Sequence, residues 1–169
     1  MKALFIGRFQ PFHIGHLKII QEACKKYEKL IIGIGSSQYS NTFDNPFTSD
    51  ERKEMIEKSL DFLNIKNYEL ILIPDIHNPP KWVEHVLDIN SNFDVVISNN
   101  ELTLNLFKKK GFKIEKTPSY NKELYSGKII RTKISKNEQW EISVPVEVSK
   151  YIKNIKGDAR IKKIYQEFH

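Results

Sequence analysis

The segment Gly7-Arg8-Phe9-Gln10-Pro11-Phe12-His13-Ile14-Gly15-His16 gathers residue types that handle anions. It carries one arginine and two histidines three positions apart, with glycines at positions 7 and 15. Histidines at that spacing share a helix face and can donate to one ligand. Glycine lets a ligand or a neighbouring backbone approach closely, and Pro11 fixes one φ angle. The segment lies between an apolar run, Ala3-Leu4-Phe5-Ile6, and a helical pattern with Leu17, Ile20, Ala23 and Cys24 on one face. A strand thus hands over to a helix whose first N–H groups lack intrahelical partners and whose dipole favours an anion. In an open α/β sheet that junction is where phosphorylated ligands bind. The chemistry these residues suit is the holding of a triphosphate.

Two further segments have the same character. Asn45-Pro46-Phe47-Thr48-Ser49-Asp50-Glu51-Arg52 opens a helix, with Thr48 and Glu51 at the spacing of a capping box. Arg52 falls in the first turn, where a cation opposes the helix dipole, so an anionic partner is expected. Asp50 or Glu51 could supply it, and so could a ligand. Tyr125-Ser126-Gly127-Lys128-Ile129-Ile130-Arg131 opens another helix. There Ser126 can cap, Gly127 can admit a ligand to the backbone, and Arg131 follows about one turn later. Together they suit a second anion site facing the first.

These segments need elements to hold them. Strands are expected at 2–6, 29–34, 68–73, 95–98 and 112–115, and helices at about 14–27, 49–63, 81–89 and 102–109. Strands that alternate with helices imply a parallel sheet with right-handed crossovers, here a Rossmann-like sheet of about five strands. The third strand is apolar enough to be covered on both faces. Gly111 closes the fourth helix, and the tail from Ser126 onward is helical, with Gly157 breaking its last two helices. The expected organisation is one domain over 1–169, with an α/β core to about 117 and a helical part from about 118.

Composition narrows the classes. The chain has 169 residues, of which 40% are apolar and 28% charged, a soluble globular balance. No apolar run approaches the ~18–20 residues that span a bilayer, and the first residues lack the plan of a secretory signal. The single cysteine, Cys24, excludes an internal disulfide, and its place on an apolar helix face makes it a packed thiol. A reducing cytoplasm is the expected location. The net charge of +6 comes from lysines spread along the chain, a solvated surface whose field also favours phosphate-rich ligands. No carboxylate cage for a metal is apparent.

The first segment matches the (H/T)xGH signature of the nucleotidyltransferase superfamily. In its GRFQPFHxGH form it resembles archaeal nicotinamide-nucleotide adenylyltransferases. The resemblance continues through a family segment ENPFTxxER, with Asp44 here in place of its first residue, and through Ser-(Ser/Gly)-Thr-x-x-Arg, with Lys128 in place of its threonine. Family members often carry Ser-Gly-Asn where this chain has Ser98-Asn99-Asn100; asparagine tolerates left-handed φ, so Asn99 is expected to keep the turn.

What the resemblance implies is transfer of AMP from ATP to nicotinamide mononucleotide (NMN), giving NAD and pyrophosphate, with Mg²⁺ arriving on ATP. It implies catalytic roles for His16, His13 and Arg131. It implies ATP and phosphate contacts from Gly7, Arg8, Phe9, His13, Gly15, His16, Arg52, Ser126, Gly127, Lys128 and Arg131. Trp82 would stack on the nicotinamide ring, with Asn78 and Asp75 beside it. It also implies a homo-oligomer, with neither nucleic acid nor membrane as partner. Two other readings are weighed against it. The same fold serves other phosphate acceptors, such as flavin mononucleotide or phosphopantetheine, but Arg-Phe-Gln-Pro-Phe and Asn-Pro-Phe-Thr favour the nicotinamide branch. A basic nucleic-acid-binding module would need clustered cations on one face, which the sequence does not show.

Overall fold

A computed structural model describes residues 1–169. The strands are β1 (Lys2–Gly7), β2 (Lys29–Gly35), β3 (Tyr68–Ile73), β4 (Val95–Ser98) and β5 (Lys113–Lys116). Between them run α1 (Ile14–Lys26), α2 (Ser49–Phe62), α3 (Pro79–Ile89) and α4 (Glu101–Lys109). After β5 come α5 (Gly127–Ser135), a 3₁₀ turn (Glu141–Ser143), α6 (Val146–Asn154) and α7 (Gly157–Phe168). All strand pairs are parallel, in the order β3-β2-β1-β4-β5. The chain therefore builds outward from β1 in one direction and then, from β4, in the other. That reversal beside β1 is the topological switch point of a doubly wound sheet, where a crevice opens at the carboxyl ends of the strands.

The period of two along β1 and β2 divides the core. Ala3, Phe5, Leu30, Ile32 and Ile34 point to the face covered by α1 and α2, where Ile20, Met55, Ile56 and Leu60 are fully buried. Leu4, Ile31 and Val96 point to the face covered by α3 and α4, against Val83, Val86 and Phe107. The C-terminal helices join the first face: Ile130, Ile134, Val148, Ile152 and Ile161 belong to the same apolar cluster. No helix is long and apolar enough to cross a membrane.

Caps and turns set the boundaries. Thr48 Oγ1 accepts from the Glu51 N–H at 3.1 Å and Glu51 Oε1 from the Thr48 N–H at 2.9 Å, the reciprocal capping box expected from their spacing. Gly111, at φ +88°, ends α4. Three expectations need correcting. β3 is an edge strand, so only Ile73 in it is buried and Leu72 stands 44% exposed. Pro79 and Pro80 lie within the first turn of α3 rather than before it, a position where their missing N–H costs nothing. The break before α7 falls on Lys156, whose φ is +58°, and not on Gly157. Gly157 is the first residue of α7, and a Cβ there would lie 2.7 Å from the Phe47 ring. Its bareness lets α7 press against the Asn-Pro-Phe-Thr segment.

Candidate active site

The turn from β1 to α1 builds one wall of the crevice. His13 is the N-cap of α1 and His16 its third residue. The His16 N–H donates to Nδ1 of His13 at 3.3 Å, and the His13 N–H donates to Nδ1 of His16 at 3.2 Å. This is a capping box made from two imidazoles. Because each Nδ1 accepts from a backbone N–H, the proton of each neutral ring sits on Nε2. The rings stack with centroids 3.5 Å apart, and Phe9 meets His16 edge-on at 4.7 Å. Burial pulls His13 down from its usual value to about 4. Burial, and then the charge of His13, hold His16 well below its usual range. At neutral pH the pair therefore offers two Nε2–H donors without carrying charge.

The crevice itself is a cleft of about 880 Å³ along the carboxyl edge. Gly7 and Arg8 line it from β1, Gly35 and Ser36 from β2, Ile73 and Asp75 from β3, and Ser98 and Asn99 from β4. His13, Gly15 and His16 add the helix start, Trp82 and Thr103 the far end, and Ser126 and Lys128 the opposite wall. Asp75 is the sole carboxylate on this lining, against Arg8, Lys122 and Lys128. Such a cleft is large enough for a dinucleotide-sized ligand and is biased towards anions. No group of three His, Cys, Asp or Glu side chains comes together as a metal cage.

Beneath the lining, two buried guanidinium groups hold the walls together. Arg52 has no exposed surface. Its Nη1 donates to the carbonyls of Arg8 at 2.9 Å and Gly35 at 2.8 Å, its Nη2 to Ser36 at 3.2 Å, and its Nε to Thr48 at 3.2 Å. The anionic partner expected from its first-turn position is thus a ring of carbonyl dipoles at the ends of β1 and β2. Arg131 is 2% exposed and donates from Nη1 to the Gln10 carbonyl at 2.7 Å, while its buried Nε has no partner. Burial, then the charge of Arg8, lowers Arg52 and Arg131 alike to about 10. Three guanidinium groups converge here, and the carboxylate nearest Arg131 is an exposed one, Asp44 at 3.8 Å.

The remaining site expectations fall in two groups. Gly7, Arg8, His13, Gly15, His16, Ser126, Lys128, Asp75 and Trp82 line the cleft. Phe9, Arg52, Gly127, Arg131 and Asn78 do not. Phe9, with φ +54°, is buried and fills the space that a side chain at Gly7 would occupy, 2.9 Å from a Cβ there. Gly127 makes room for Arg131, since a Cβ at 127 would lie 2.8 Å from its Nη1 and 3.1 Å from the Gln10 carbonyl. Asn78 lines a side cavity of about 270 Å³ that shares Asp75 and Trp82 with the cleft. Ser126 occupies the N-cap of α5 but makes no capping bond, which leaves its hydroxyl to the cleft. Asn99 does not adopt the left-handed turn expected of it; the left-handed non-glycine residues in the loops that follow β1, β2 and β3 are Phe9, Ser36, Asn41 and His77.

Sequence reasoning missed several lining residues. Ser36 was signalled by its place directly after Gly35 at a strand end, but Thr103, Tyr120 and Lys122 carried no pattern. It also missed Gln10 as a clamp. The Gln10 amide accepts from the Phe47 N–H at 2.9 Å and donates to the Phe47 carbonyl at 3.0 Å, tying the first segment to the second. From outside, Arg160 of α7 grips the same strip, bonding Glu51 Oε1 at 2.6 Å, Glu51 Oε2 at 2.8 Å and the Pro46 carbonyl at 3.0 Å.

A switch-point cleft with polarised donors at a helix start and buried arginines behind it defines a nucleotide-binding α/β protein of the nucleotidyltransferase class. Comparisons agree. The model of the cytidylyltransferase-like family matches residues 4–133. The chain is 42% identical over 163 residues to the nicotinamide-nucleotide adenylyltransferase of Thermoplasma volcanium, covering 96% of this chain and 92% of that protein. It is 46% identical over 164 residues to the enzyme of the same name from Methanococcus aeolicus, covering 97% and 95%. In fold it is similar to a bifunctional NMN adenylyltransferase/ADP ribose pyrophosphatase from Francisella tularensis, with TM-score 0.80 at 21% identity. That likeness covers 96% of this chain and 52% of the bifunctional one, so the chain spans about half that protein's length. The chain belongs to the cytidylyltransferase-like family, among its nicotinamide-nucleotide adenylyltransferases.

Proposed function

We propose that this protein transfers AMP from ATP to NMN, releasing pyrophosphate and forming NAD. A 5′-phosphate oxygen of NMN attacks the α-phosphorus in line. The new P–O bond forms as the bond to the β-phosphate oxygen breaks, and its electron pair leaves with pyrophosphate. The attacking oxygen is already an anion, so no general base and no covalent intermediate are needed. Alignment and fixed electrostatics supply the catalysis.

The observation that carries this reading is the imidazole capping box, which fixes two Nε2–H donors at the positive end of α1. His16 and His13 donate to the polyphosphate, and Arg8 and Lys128 neutralise it from the two walls. Gly7, Gly15 and Ser126 let it lie close to the backbone. Arg131 acts from behind the lining, its buried charge adding to the positive field at the phosphates, and Phe9, Gly127 and Arg52 shape the phosphate site with it. Trp82 stacks on the nicotinamide, with Asp75 and Asn78 near its amide. Mg²⁺ comes with ATP as part of the substrate. The functional unit is the single domain 1–169, assembled as a homo-oligomer and acting in the cytoplasm without nucleic-acid or membrane partners.

Flavin mononucleotide and phosphopantetheine are the competing acceptors. The names of the relatives support nicotinamide over both. The test is incubation of purified protein with ATP, Mg²⁺ and each acceptor in turn, with dinucleotide resolved by chromatography. NAD formed from NMN is the expected product; a product from flavin or pantetheine alone would overturn the proposal.

A further inference from the structure

Residues 118–125 carry the chain from beyond β5 to the N-cap of α5, and they border the cleft with Pro118, Ser119, Tyr120, Lys122 and Tyr125. Little fastens this strap. None of its residues is buried. Its hydrogen bonds are internal: the Leu124 and Tyr125 N–H groups donate to the Asn121 carbonyl at 3.0 and 2.8 Å. At its root the Thr117 N–H donates to the Ser98 carbonyl at 2.9 Å, while the Thr117 hydroxyl is buried without a partner. Behind the strap lies a second cavity of about 470 Å³, which shares Ile19, Pro118 and Tyr120 with the cleft. A segment with open space on both sides and no hydrogen bond to its surroundings is among the first parts of a fold to open.

One exposed side chain of α1 holds it. The Lys18 ammonium lies 5.3 Å from the ring centroid of Tyr120 and 5.3 Å from that of Tyr125. Gly15, about one turn earlier, gives Tyr125 its seat: a Cβ there would lie 3.2 Å from the Tyr125 Cβ and 2.9 Å from the His13 ring. Tyr125 therefore rests beside the histidine pair, and the strap runs from there along the cleft. We propose that Lys18 is a positioning residue for ATP, clasping the strap so that Tyr120, Lys122 and the entry to α5 are in place before the nucleotide arrives. Without the clasp the strap samples other positions, and apparent affinity falls with the fraction of molecules that keep the binding one. This rests on the reading that the cleft takes ATP.

The test compares the native protein with Lys18→Met and Lys18→Arg. Titration calorimetry gives Kd for ATP with Mg²⁺, and steady-state kinetics give kcat and the KM for NMN at saturating ATP. Mass spectrometry follows trypsin cleavage after Lys122. Methionine keeps the stem and removes the cation, so Lys18→Met should weaken ATP binding about fivefold or more. It should also speed the cleavage, which tracks the open population. Turnover and the KM for NMN should stay near native, because bound ATP then holds the strap. A guanidinium also stacks on aromatic rings, so Lys18→Arg should stay near native throughout. In a Tyr120→Leu background the loss from Lys18→Met should shrink to about twofold, whereas a charge acting directly on ATP would cost the same in both. An unchanged Kd in Lys18→Met, or an equal loss in the two backgrounds, would overturn the clasp. A native protein that binds no ATP would instead overturn the reading on which it rests.

Discussion

Replacing His16 separates what the imidazole does for the helix from what it does for the ligand. In His16→Ala two things disappear: the Nδ1 that accepts the His13 N–H, and the Nε2–H facing the cleft. Loss of the first costs about 1 kcal/mol, the usual magnitude of a helix cap. That corresponds to a melting temperature lower by roughly 2–4 °C in a protein of this size. Loss of the second removes a preorganised donor to charge developing on phosphate oxygens. By analogy with a single oxyanion donor, turnover should fall about 10²–10³-fold. His16→Gln distinguishes the two, because glutamine at the third helical position is the ordinary reach-back partner of a capping box. Its amide oxygen can take over the cap, but its remaining N–H donors sit on a different, floppier frame. Thermal melts should show His16→Gln recovering most of the lost stability, while NAD formation stays down by at least about 10²-fold. Near-native turnover in His16→Gln, or equal melting losses in both variants, would refute the division of labour.

Two further outcomes follow, one from each wall of the cleft. His13 titrates near 4 in the folded protein against 6.5 when exposed, so the native state excludes its proton. Its contribution is complete above pH 6.5 and is lost as the pH falls towards 4, by up to about 3 kcal/mol, with His16 acting in the same sense. Urea unfolding across that window should show the decline, and His13→Asn, which keeps an N-cap, should make it shallower and leave the part due to His16; a native profile already flat would contradict the burial argument. In Gly127→Ala the new methyl meets the Arg131 guanidinium and the fixed Gln10 carbonyl, which should cost about 1–3 kcal/mol and displace Arg131. Activity should fall about tenfold or more at temperatures where the variant is still folded, measured by NAD formation beside circular dichroism.

Much of this architecture could be read before any coordinates, because its punctuation is local. Gly111, the Thr48–Glu51 box and the apolar runs fix element boundaries to within a residue or two, and motif order places the phosphate segments on one edge of the sheet. What escaped is what depends on partners distant in sequence. The composition of β3 does not reveal that it lies at a sheet edge, since strand order is set by crossovers. Arg52 reads as a ligand residue because the sequence shows its awkward first-turn position but not the carbonyls that turn inward to meet it. Gly127 reads as a residue that admits a ligand and Gly157 as a helix breaker, although their smallness makes room for the Gln10 carbonyl with Arg131 and for the Phe47 ring. Gln10, midway through the most legible motif, gave no sign that its side chain would grip Phe47.

The crowding of Arg8, Arg52 and Arg131 has a thermodynamic consequence beyond charge complementarity. Burial first, and then the charge of Arg8, lowers Arg52 and Arg131. Under the proposed function, a polyphosphate held beside Arg8 would offset that repulsion, so nucleotide binding and native-state stability would rise together.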